Sequence, residues 1–338
     1  MWWEPTNERE IALADDVRRL QNWFVEQELP SAWGRPASGV GSIWSPSEGA
    51  LVPFVLLNSD SILAIEFFPL FELIPVSEFP SFPLRLPETR LPTYAMALPH
   101  PRPTTSLFSY SSWQDQKERL LAELVQIREP IICTNSGNKG SAGIVVWDEA
   151  AREPALLTAG HTFPHGVGSG VNRLNLPLKR LLKFLPKVEH LGKVTHHVTP
   201  TGPSGWDAAI IQIETIKKPN ASFVSQEYER FESPEKIWVH GAFTKFVSKA
   251  AVQGGLNVLR SDVMRWKRCW MVFPSGLLTD GDSGAAVFVE KDSSLLGMYV
   301  AQSEYRGSLL PLAHYVQDAF RLEQEVLRNW GISFRMGG

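Results

Sequence analysis

Three side chains of this 338-residue chain stand where acyl-transfer chemistry would need them. Ser283 lies in Gly281-Asp282-Ser283-Gly284, a glycine-bracketed turn ahead of the apolar run Ala285–Val289. His161 follows the apolar stretch Pro154-Ala155-Leu156-Leu157 and a Thr158-Ala159-Gly160 turn. Asp207 heads a further apolar run, Ala208-Ala209-Ile210-Ile211. A serine hydroxyl attacks a carbonyl when an imidazole takes its proton and a carboxylate fixes the imidazole tautomer. Backbone N–H groups must then hold the oxyanion. Each fragment alone has a plainer reading: a packed histidine, a turn aspartate, a glycine turn before a strand. Together, with Asp207 46 positions after His161 and Ser283 76 positions after Asp207, they leave room for several strands between each pair.

In the order His, Asp, Ser the fragments resemble the trypsin-like (chymotrypsin-fold) serine peptidases, which carry TAAHC, DIALL and GDSGGP at these places. Here the three read Thr158-Ala159-Gly160-His161-Thr162, Asp207-Ala208-Ala209-Ile210-Ile211 and Gly281-Asp282-Ser283-Gly284-Ala285-Ala286. Subtilisin-type enzymes run Asp, His, Ser, and α/β-hydrolases run Ser, acid, His within Gly-x-Ser-x-Gly, so the order separates this chain from both. The resemblance covers residues 131 to about 325, and the texture is similar to bacterial intracellular members. It implies a mainly β fold: two six-stranded antiparallel barrels, a double β-barrel, with a C-terminal helix. It implies His161 as general base, Asp207 as its orienter, Ser283 as nucleophile, and the Gly281 and Ser283 amides as oxyanion hole. Leu277, six residues before the serine, would sit at the base of the substrate pocket. Val300 and Gln302, in a strand similar to the one that pairs with substrate backbone, would line it. Leu277 offers no partner to a buried charge, which implies an apolar or aromatic side chain before the scissile bond.

The chain departs from the family pattern at three points. Thr162 replaces the cysteine that follows the histidine in secreted relatives, so that disulfide is absent. Ala285 replaces the second glycine after the serine, which would cost about 1 kcal/mol if φ were positive there. In secreted relatives a cut before an Ile-Val pair frees an amine that meets the acid preceding the serine, here Asp282. Pro130 precedes Ile131-Ile132 and no Gly-Gly follows, so the chain reads as not activated by clipping there.

The elements that must position these residues begin with a helix over 6–27. Ile11, Ala14, Val17, Leu20 and Phe24 recur at helical spacing, with Thr6 or Asn7 as cap. Residues 31–42 break the pattern. Two strands follow around a turn at Asn58-Ser59-Asp60-Ser61. Residues 75–106 are so rich in proline that neither a helix nor a central strand is expected. A second helix over 111–130 precedes a region of short apolar runs punctuated by Gly, Asn, Ser and Pro, the texture of a β-barrel or sandwich. Residues 311–331 read as a closing helix, with Ala313, Val316 and Phe320 on one face and Gly331 as its stop. The expected organisation is an N-terminal α+β accessory region over 1–74, a Pro-rich linker or strap over 75–106, a connecting helix over 107–130, and a peptidase domain over 131–330.

The formal charge of −3 gives no sign of nucleic-acid binding. No apolar run approaches the roughly 20 residues that span a bilayer. Only Cys133 and Cys269 occur, and with no signal-like N-terminus this reads as a cytoplasmic protein. His190, His196 and His197 lack the carboxylate or cysteine spacing of a metal site, so no metal and no cofactor is expected. The basic stretch 172–193 reads as a surface loop and strand pair rather than a membrane face. The functional reading is a serine endopeptidase acting on a protein or peptide substrate; the alternative is a catalytically silent scaffold for protein binding. Residues 1–130 match no enzyme motif. They would dock a regulatory protein partner, lie across the cleft as an inhibitor, or complete the barrel surface.

Overall fold

The computed structural model describes residues 5–26, 36–59, 72–78, 82, 84–103, 129–175, 187–214, 222–223, 235–242, 247–273, 278, 281–303 and 313–334. Helix α1 spans Glu8–Glu26. Asn7 caps it: its Oδ1 accepts the Glu10 N–H at 2.9 Å, while the Glu10 carboxylate accepts the Thr6 N–H at 2.6 Å. The buried stripe is Leu13, Val17, Leu20 and Phe24; Ile11, assigned to it from spacing, is 46% exposed.

Five strands follow in the N-terminal part: β1 (Ala37–Ser45), β2 (Ala50–Asn58), β3 (Ile74–Pro75), β4 (Tyr94–Leu98) and β5 (Arg102–Pro103). β1 and β2 form an antiparallel hairpin across Gly49. β2 is the first strand of the pair expected around Asn58–Ser61, and β1 occupies the stretch read as pattern-breaking. Its glycines mark close backbone approach rather than turns: a Cβ at Gly41 would lie 2.0 Å from the Gly255 carbonyl oxygen. The strand expected after Ser61 lies in residues 60–71, outside the described residues, and so does most of the helix expected over 111–130. The Pro-rich segment does hold a central strand. Tyr94–Leu98 is a proline-free interval between Pro92 and Pro99, wholly buried and flanked by β2 and β3.

The first barrel is built from β6 (Glu129–Cys133), β7 (Lys139–Ala142), β8 (Ile144–Asp148), β9 (Glu153–Thr158), β10 (Gly170–Asn175), β11 (Lys187–Val198) and β12 (Ala208–Ile213). The strand order is β8-β9-β12-β11-β10-β6-β7, with the short β13 (Ser222–Phe223) beside β8. β7 and β8 stand far apart in that order yet are joined by Gly143 alone, so the sheet has to curl on itself. Ile131, Val145, Leu156, Phe163, Leu191 and Ile211 fill it. The basic stretch contributes β10 and the start of β11, an antiparallel pair; residues 176–186 between them are outside the described residues.

The second barrel contains β14 (Glu235–His240), β15 (Val247–Arg260), β16 (Arg265–Phe273), β17 (Ala286–Val289), β18 (Leu295–Ser303) and β19 (Ala313–Asp318). Their order is β14-β17-β18-β19-β16-β15, and β14 pairs β15 as well, so six strands close into a ring. With the curled first sheet this makes a double β-barrel. The far half of β15 pairs β1, from Gly39↔Leu259 to Ile43↔Gly254. The N-terminal strands thus prolong the second barrel's own sheet in the order β15-β1-β2-β4-β3. The expected C-terminal helix is half strand: 313–318 form β19, buried between β16 and β18. A segment sandwiched between two strands satisfies its backbone laterally, and that overrides its helical spacing. Helix α2 (Ala319–Glu325), capped by Asp318, is followed by a 3₁₀ turn that ends at Gly331 with φ of 70°. The tail adds β20 (Ile332–Ser333) to β8. Among the described residues no helix is long and apolar enough to cross a membrane.

Asp16 ties helix α1 to the Pro-rich segment. Its buried carboxylate accepts the Arg90 N–H at 3.0 Å and the Leu91 N–H at 2.8 Å. Replacing it strands two amides that lose a charged acceptor. Asp16→Ala should lower unfolding free energy by about 2–4 kcal/mol in urea titration.

Candidate active site

The structure brings His161, Asp207 and Ser283 together between the barrels. His161 sits in a 3₁₀ turn at the end of β9, Asp207 immediately before β12, and Ser283 in the turn before β17. Ser283 Oγ lies 2.7 Å from His161 Nε2. His161 Nδ1 lies 2.5 Å from Asp207 Oδ2. Asp207 Oδ1 also accepts the His161 backbone N–H at 2.9 Å, and Oδ2 accepts the Trp266 indole N–H at 2.9 Å. A carboxylate so placed is an acceptor for fixed donors, which puts the imidazole proton on Nδ1 and leaves Nε2 as the acceptor facing Ser283. Asp207 and Ser283 have no exposed surface, and His161 is 6% exposed.

Several supporting residues carried no sequence signal of their own. Trp266 reaches Asp207 from β16. From β19, Gln317 Oε1 accepts the Asp207 N–H at 2.9 Å, while its Nε2 donates to the carbonyls of Gly205 and Lys267. His197 Nε2 lies 2.9 Å from the Gly160 carbonyl and steadies the turn that carries His161. Ser141, on β7, is the first barrel's grip on the serine turn. Its N–H donates to the Ser283 carbonyl at 2.7 Å, and its Oγ to the Gly281 carbonyl at 3.2 Å. The Thr158 hydroxyl donates to the Ser141 carbonyl at 2.8 Å. Of these, only Thr158 belonged to one of the three fragments that carry His161, Asp207 and Ser283; His197 had been weighed solely as a metal ligand.

Gly281 and Gly284 have φ of 99° and 93°. A Cβ on Gly284 would lie 2.1 Å from the Ser141 carbonyl oxygen, so both conformation and space demand glycine there. Ala285 is not among the residues with positive φ, and it accommodates the departure from glycine without strain. Among the described residues, neither the Gly281 nor the Ser283 amide donates to a backbone carbonyl. Asp282 is buried, with Gly241 packed so close that a Cβ there would meet its carboxylate at 2.4 Å. Ile131, the residue at which clipping was considered, is buried inside β6.

Of the expected pocket residues, Leu277 is outside the described residues, and Val300 and Gln302 are buried on β18. Leu278 is buried in a cluster with Tyr299 and Ala285. Tyr299 donates its hydroxyl to Gln302 Oε1 at 2.6 Å, and His314 Nδ1 lies 3.1 Å from that hydroxyl. Elsewhere His190 contacts Glu214 at 3.0 Å and His196 stacks on Trp330. Among the described residues no group of three or more His, Cys, Asp or Glu side chains could hold a metal ion. Cys133 and Cys269 are buried free thiols.

Fold and site together define a class: a double β-barrel with a Ser-His-Asp constellation at the junction. Solved structures similar to this chain include a Nocardiopsis protease, protease A of Thermobifida fusca and a chymotrypsin of Cellulomonas bogoriensis. They share 15%, 15% and 12% identity, with TM-scores of 0.42, 0.42 and 0.41. The similarity spans 62%, 62% and 63% of this chain and 98%, 97% and 99% of theirs. No protein-family model and no curated protein sequence matches the chain.

Two buried groups near β18 set opposing pH responses. Burial lowers His314 to about 3, so only the unfolded chain takes up its proton as pH falls below about 6.5. Burial raises Asp318 to about 7, so the folded chain binds that proton first and stability rises as pH falls from 7 towards 4. Between pH 7 and 5 each contributes about 2 kcal/mol, with opposite sign. Urea titrations should therefore show His314→Gln gaining about 2 kcal/mol relative to wild type on going from pH 7 to pH 5.

Proposed function

We propose that the chain is a serine endopeptidase. The observation that carries this reading is the continuous contact from Ser283 Oγ through the His161 ring to the Asp207 carboxylate, at 2.7 and 2.5 Å. His161 Nε2 takes the Ser283 proton as Oγ bonds to the scissile carbonyl carbon. The Gly281 and Ser283 amides hold the oxyanion, and the imidazolium returns the proton to the departing amine. Water, deprotonated by the same nitrogen, then hydrolyses the acyl-enzyme. Asp207 keeps the proton on Nδ1 throughout and stabilises the transient imidazolium.

The reading extends to an apolar or aromatic residue before the scissile bond. Leu278, Tyr299 and Val300 carry no charge, and His314, lowered to about 3 by burial, is neutral at pH 7. An ester substrate would use the same oxyanion chemistry, and a silent protein-binding scaffold would keep the same fold. A fluorescent fluorophosphonate separates these. Wild type should label, whereas Ser283→Ala and His161→Ala should not. Absence of Ser283-dependent label would sink the enzyme reading. With wild type, a peptide library should show the apolar preference. Asp207→Asn should lower kcat by about 10³–10⁴-fold with little change in KM.

A further inference from the structure

β18 runs directly behind the serine turn: the Gly284 N–H donates to the Tyr299 carbonyl at 2.8 Å, and the Tyr299 N–H to the Ala285 carbonyl at 2.9 Å. One edge of β18 pairs β19 as far as Ser303. The other edge loses β17 after Met298, whose partner is Ala286, the first residue of β17. Among the described residues, an edge free of β17 therefore begins beside Ser283. Such an edge holds an extended peptide through its backbone, largely regardless of sequence. In this chain the edge is filled from within: β5 lies antiparallel on it, Pro103 opposite Ala301 and Arg102 opposite Gln302.

β5 is held from its N-terminal side. Four residues earlier the chain is the buried strand β4, and Asp16 grips the backbone at Arg90 and Leu91. His100, between the two strands, lies 3.3 Å from Asp262. Pro99, Pro101 and Pro103 restrict φ, so the segment is extended before it docks and loses little entropy on doing so.

We propose that Arg102–Pro103 is a built-in pseudo-substrate: the chain's own strap occupies the edge on which a peptide to be cleaved would lie, and turnover requires it to lift. This rests on the peptidase reading. A strap that sequesters the edge lowers apparent affinity by the fraction of molecules in which the edge is free.

Two full-length variants test it. Arg102→Gly with Pro103→Gly weakens the strand and should raise kcat/KM for peptide substrates about tenfold, the equivalent of about 1.4 kcal/mol. Pro103→Cys with Ala301→Cys places two thiols on directly paired residues, within disulfide reach. Its oxidised form should lose peptide turnover, and a reductant should restore it in the same sample. Ser283-dependent fluorophosphonate labelling together with equal peptide turnover in wild type, the glycine variant and both redox forms would overturn the strap while leaving the peptidase intact. No Ser283-dependent labelling in any form would overturn both.

Discussion

Asp207 is a carboxylate with no exposed surface, at the meeting of two barrels. A buried charge is tolerated only when its oxygens are saturated with donors. Here the donors come from both sides: the His161 backbone and ring from the first barrel, and the Trp266 indole from the second. The peptide N–H of the same residue is answered by Gln317, again from the second barrel. The barrels cannot shift relative to one another without exposing that charge to an unpaired site. The position of His161, and through it the contact with Ser283, follows from this requirement. Ser141 makes the reciprocal tie, holding the serine turn of the second barrel to a strand of the first.

The imidazole is thus positioned by groups that are themselves fully buried. Ser283 needs Nε2 as an acceptor; Nε2 is one because Nδ1 donates to Asp207; and Asp207 is fixed because Trp266 and Gln317 are rigid parts of central strands. The geometry of the candidate site is set by packing in β16 and β19.

The three side chains of the candidate site could be read in the sequence because each lies in a short fragment whose composition reflects a local demand. Gly281 and Gly284 need positive φ, and His161 and Asp207 adjoin apolar strands. The residues that support them could not be read. Trp266 and Gln317 are 59 and 110 positions from Asp207, and nothing in their own surroundings distinguishes them from other strand residues. The strands that escaped notice did so for physical reasons. Glycines in β1 look like turn residues but serve close packing against β15. Prolines on both sides of β4 hide a five-residue strand. Helical spacing in 313–318 is overruled by neighbours on both edges. In each case, a partner distant in sequence supplies what the local pattern lacks.

The pairing of β1 with β15 has a consequence for how the molecule is made. Gly39 finds its partner in Leu259, and Ile43 in Gly254. At about 5–20 residues per second of synthesis, the N-terminal hairpin must wait roughly 10–40 s after leaving the ribosome before β15 emerges. During that interval the edge of β1 destined for β15 is bare, beside the apolar side chains of Val40, Val55 and Leu57 that are later buried. Such an edge recruits other strands indiscriminately. Newly made chains therefore pass through a stage in which this hairpin is open to aggregation.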